Sequence, residues 1–76
     1  MKSKINKLLD KLCEDQKSRL QSVGESIVPN LTSDDVLQPM DFSVLEENPF
    51  FRFEEGVLSG LGEARAAILA LFAEED

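Results

Sequence analysis

Residues 48–73 read NPFFRFEEGVLSGLGEARAAILALFA, and the fold class turns on them. Asn48 can accept hydrogen bonds from the free amides of a first helical turn. Pro49 suits the first helical position, where an N–H would lack a partner anyway. From there to about Ala73 the apolar residues recur every three or four positions, the period of a helix, and no strand-like alternation competes. At about 100° per residue they fall into two stripes. Phe53, Val57, Gly60, Ala64, Ala67 and Leu71 make one. Phe51, Leu58, Leu61, Arg65, Leu69 and Phe72, with Glu54 at its edge, make the other, roughly 120° away. A helix with two apolar stripes needs two neighbours, because a single partner leaves one stripe in water.

One neighbour is supplied upstream. Ile5, Leu8, Leu9, Leu12, Cys13, Leu20, Val23 and Ile27 lie within an arc of about 140°, with Lys7, Lys11, Glu14, Ser18 and Gln21 opposite. This predicts a first helix over about 3–27, weakened by Gly24 and ended before Pro29, which disfavours helical geometry at Val28. The two long helices, over about 3–27 and 49–73, have matching lengths of roughly 37 Å. The expected pairing is antiparallel, which also sets Lys2 and Lys4 beside Glu74, Glu75 and Asp76 and offsets two unfavourable helix-dipole placements. The expected seam joins Ile5, Leu8, Leu12 and Val23 to Val57, Gly60, Ala64 and Leu71. Close backbone approach is the reason for a helix to keep Gly60, since each glycine costs about 1 kcal/mol relative to alanine.

The connection over 28–48 is too long to be idle in a compact domain. Thr32 with Asp35 and Ser43 with Glu46 are spaced as capping boxes, predicting short helical turns over 33–37 and 44–47 with Pro39 between them. Leu31, Val36, Leu37, Met40, Phe42, Val44 and Leu45 give this segment an apolar side, so it should pack as a lid over the closed end. Phe50, Phe51 and Phe53 spread over about 160° of the second helix. One of them must therefore meet the lid or a partner.

Composition bounds the function. The chain has 76 residues, 42% of them apolar and 30% charged, which suits one small folded domain with a marginal core of its own. Cys13 is the only cysteine and there is no histidine, so neither a disulfide nor a zinc site is available to reinforce it. Self-association or a partner is the remaining source of stability. The net charge of -7 divides unevenly. Residues 1–20 hold six basic groups against three acids, and residues 21–76 hold two against twelve. So acidic a chain repels a phosphate backbone, so no nucleic-acid partner is expected. The pairs Asp34-Asp35, Glu46-Glu47 and Glu54-Glu55 lack the alternating ligands and turn glycine of a calcium loop, so no metal is expected. No cofactor motif is present. Cys13 sits on an apolar helix face with no histidine to activate it, so no catalytic residue is assigned and an enzyme is not expected. No export signal and no run near the ~20 apolar residues of a bilayer span are legible, which makes the cytoplasm the default and a membrane partner an unfavoured one.

The sequence therefore predicts an all-α protein: an antiparallel two-helix hairpin with a partly helical connection, able to dimerise into a four-helix bundle. Its expected role is that of a protein-interaction module, an adaptor or a chaperone-like subunit. The expected partner-binding residues are Phe51, Glu54, Leu58, Leu61, Arg65, Leu69 and Phe72, which meet another protein chain or a second copy. In the homodimer Glu54 of one chain would meet Arg65 of the other, although Arg65 could instead face Asp10 or Glu14 of its own first helix. The alternative is a peripheral binder of anionic membrane or acidic surface, using Lys2, Lys4, Lys7 and Lys11 on the amphipathic N-terminal helix.

Overall fold

The computed structural model describes residues 1–75, with side chains through Glu74. The described chain is all-α: α1 (Lys2–Ile27), α2 (Ser33–Val36), a 3-10 turn at Pro39–Asp41, α3 (Ser43–Glu46) and α4 (Pro49–Glu75). Helix ends follow local chemistry. Asn48 Oδ1 accepts from the amides of Phe50 and Phe51 at 2.9 and 3.0 Å, opening α4. Thr32 and Asp35 form a reciprocal capping box on α2. Ser43 makes no such cap; it is the first residue of α3, and Phe42 precedes it in extended conformation. Between α1 and α2 the chain reverses at Asn30, whose φ of 67° is a left-handed value that asparagine tolerates better than most residues.

The principal packing is α1 on α4. Lys2 reaches Phe72, Asp10 reaches Arg65 and Gln16 reaches Glu54, so the two helices run in opposite directions. The Lys2 ammonium donates to the Phe72 carbonyl at 3.3 Å and stands 5.6 Å from the ring centroid of that residue. The clustering of lysines with Glu75 and Asp76 lies outside the described residues.

The core is concentrated at the end where α1 and α4 are joined. Leu20, Leu31, Val36, Leu45 and Phe51 are buried together, with Val23, Ile27, Val28, Phe42 and Leu58 against them. Gly24 makes this packing possible. A Cβ there would come 2.6 Å from Leu31 Cδ2 and 3.4 Å from Phe51 Cε2, so the bare backbone of α1 is the surface on which the connecting segment rests. Gln21 ties the same place down by donating to the Leu31 carbonyl at 2.9 Å. Beyond this end the molecule is only two helices thick, a rod of 45 × 18 × 17 Å. Its radius of gyration of 14.7 Å exceeds the roughly 11 Å of a compact 76-residue domain.

Candidate interaction surface

Which stripe of α4 faces α1 decides what is left for a partner, and the structure reverses the expected assignment. Phe51, Glu54, Leu58, Leu61, Arg65, Leu69 and Phe72 are buried or half-buried and turned inward toward α1 and the connecting segment, with Glu55, Val57 and Ile68 half-buried at the borders. Phe51 is fully enclosed. The two charges are engaged within the chain. Glu54 accepts from the Gln16 side chain at 2.6 Å through its carboxylate and at 3.0 Å through its backbone carbonyl, and Arg65 pairs with Asp10 at 2.9 Å.

The cause is bulk. Turning the larger side chains inward removes more apolar area from water than turning in Gly60, Ala64 and Ala67, at about 25 cal/mol per Å². Phe51 then fixes the rotation of α4, because it alone fills the space among Leu31, Leu45 and Gly24. On α1 the inward residues are Ile5, Asn6, Leu9, Cys13, Gln16, Leu20 and Gly24, whereas Leu8 and Leu12 of the expected seam are exposed. Gln16 escaped the sequence reading because a polar residue on an apolar stripe gives no spacing signal; only the opposed Glu54 explains it. Asn6 Oδ1, also turned inward, is buried without a hydrogen-bond partner.

The outward face of α4 is consequently the apolar one. Phe53 and Leu71 are 67% and 51% exposed, Phe50 is 76% exposed, and Gly60, Ala64 and Ala67 lie between them in solvent. Gly56, Gly60 and Gly62 meet nothing within 4 Å of an added Cβ, so none serves the approach of α1. The stripe from Phe53 to Leu71 carries no charge and extends about 27 Å along the helix. Helical geometry, applied to both helices from their shared seam, places Leu8 and Leu12 of α1 on this same broad side of the rod. The connecting segment adds exposed Leu37, Met40 and Val44 near the joined end.

By length and composition alone, the helix over Pro49–Glu74 is long and apolar enough to cross a membrane, its most apolar 18 residues having a mean hydropathy of 1.4. Glu63 and Arg65 interrupt it, so the chain still holds no unbroken run of about 20 apolar residues, and none of those 18 residues is fully buried within the chain.

Two other features compete less well. An open groove of about 650 Å³ runs between α1 and α2, lined by Glu14, Lys17, Glu25, Leu31, Val36 and Leu58 among others. Lys17 there is already paired with Glu14 at 3.3 Å. Among the described residues no three potential metal-binding side chains gather at one point, and Cys13 is half-buried. Comparison with protein-family models, with curated proteins and with solved structures finds no match to this chain.

Proposed function

We propose that this protein works by binding another protein chain along the outward face of α4, as an adaptor or chaperone-like subunit rather than as a catalyst. One observation carries the reading. An uncharged stripe with exposed Phe53 and Leu71 and half-buried Val57 around an open Gly60 is a surface that costs free energy in water and admits a helix at close range. The connecting segment then serves as a clamp that fixes which side of α4 is presented. In a pull-down, Phe53→Asp with Ala64→Glu should abolish capture of the partner while circular dichroism stays unchanged, since both positions are exposed. Loss of helicity in that variant, or capture undiminished by it, would refute the assignment.

Association with a membrane is the second reading, and the span-like character of α4 is what favours it. The basic residues of α1 contribute less. Lys11 is paired with Asp15 at 2.9 Å, Lys2 is engaged with Phe72, and the remainder of the chain is strongly acidic. Co-sedimentation with anionic vesicles that is lost on Lys4→Glu plus Lys7→Glu would support this alternative.

A further inference from the structure

Building on the protein-binding reading, we infer that the occupant of the outward face is a second copy of this chain, packed antiparallel about a two-fold axis that passes between Gly60 and Ala64, at the level of Gly62. The stripe is symmetric in sequence about that point. Phe53 and Leu71 stand nine residues either side of Gly62, Val57 and Ala67 five, and Gly60 and Ala64 two. A two-fold axis turns α4 end for end, so the stripe laid on its copy sets Phe53 on Leu71, Val57 on Ala67 and Gly60 on Ala64, each twice. The largest residues fall at the ends and the smallest at the middle, as two closely approaching helices require.

The same axis suits α1. The Asp10–Arg65 and Gln16–Glu54 contacts put Gly62 about level with Leu12. Leu8 and Leu12 are exposed on the same side of the rod, and the axis brings Leu12 of one copy beside Leu12 of the other. Two rods stacked this way form a four-helix cross-section in which every neighbouring pair of helices is antiparallel.

The open area suits a second copy. The molecule exposes 5454 Å², whereas a compact folded monomer of its 8.5 kDa exposes about 4,650 Å². The excess of roughly 800 Å² is what each partner contributes to a standard interface. The stripe itself carries no charge, so two copies can meet along it without burying an ion, and Glu63 and Glu74 at its border are exposed.

Sedimentation equilibrium of the full chain over a range of micromolar concentrations is the test, and a dimer is expected. Phe53→Glu and Leu71→Lys should each weaken it by at least about 30-fold, and the two combined in one chain should restore it to within about threefold, because each new charge then faces its opposite. In a Cys13→Ala background, mixing Phe53→Cys with Leu71→Cys should give a covalent dimer under mild oxidation. Phe53→Cys alone should give none, since its two copies stand about 27 Å apart. A folded monomer at every concentration, or cross-linking of Phe53→Cys to itself, would overturn the inference. If that monomer still captures a different chain and loses it on Phe53→Glu, the protein-binding reading survives without the second copy. Flotation of the monomer with phosphatidylcholine vesicles, abolished by the same substitution, would remove both.

Discussion

Gly24 and Gly60 both interrupt long helices beside apolar residues, yet one is enclosed and the other faces solvent. At Gly24 the absent side chain is filled by Leu31, Phe51 and Val36. At Gly60 nothing fills it. The first glycine belongs to a finished core, and the second to a face that is still open. The molecule is thus divided along its length: the joined end is a small three-sided core, and the rest is a pair of helices with one side uncovered.

The largest test of that division compares two phenylalanines two positions apart. Phe51→Ala should destabilise the fold by about 3–5 kcal/mol, enough to unfold much of a marginal domain, whereas Phe53→Ser should leave a dilute monomer within about 0.5 kcal/mol of wild type. Chemical denaturation at low protein concentration reads both, and equal losses would erase the distinction between the two ends. Next come the glycines themselves. Gly24→Val should cost about 1–3 kcal/mol by overpacking against Leu31. Gly60→Ala should instead gain about 0.5–1 kcal/mol from helix propensity, reversing the overpacking penalty that a seam position would predict.

A smaller effect is expected midway along the rod, where Asn6→Leu should raise thermal stability by about 1 kcal/mol through removal of an unpartnered buried acceptor. A fall in Tm would mean that the Asn6 amide does something the α1–α4 seam requires. Smallest of all is the exposed Asp10–Arg65 pair, for which a double-mutant cycle should return no more than about 1 kcal/mol of coupling.

Much of the fold was legible because helix ends and spacing are local properties. The Asn48-Pro49 start, the stop before Pro29, the Thr32–Asp35 box and the three-and-four apolar spacing each depend on a few neighbouring residues. The rotation of α4 about its own axis was not legible, because it depends on contacts between distant parts of the chain. Two stripes of equal period looked interchangeable until Phe51 was placed under Leu31 and Leu45. The glycines pointed the wrong way for the same reason: open space for a backbone is a feature of a helix, and whether the chain itself fills that space is not. Exposed Phe50 and Phe53 were legible only as an excess of aromatic surface over what one neighbouring helix could cover.

The position of the core also sets an order of assembly. Leu20 and Phe51 are 31 residues apart in the chain, while the Lys2–Phe72 contact spans 70. Closing the shorter loop costs about 0.7 kcal/mol less, and it brings together the most buried side chains in the molecule. The joined end should therefore form in the folding transition state, with α1 and α4 zipping outward from it toward the termini. Kinetically, Leu45→Ala should chiefly slow folding, and Leu69→Ala should chiefly speed unfolding. On that route the Phe53 end of the outward face is ordered first and the Leu71 end last, so association that needs the whole face would act on a chain whose joined end is already set.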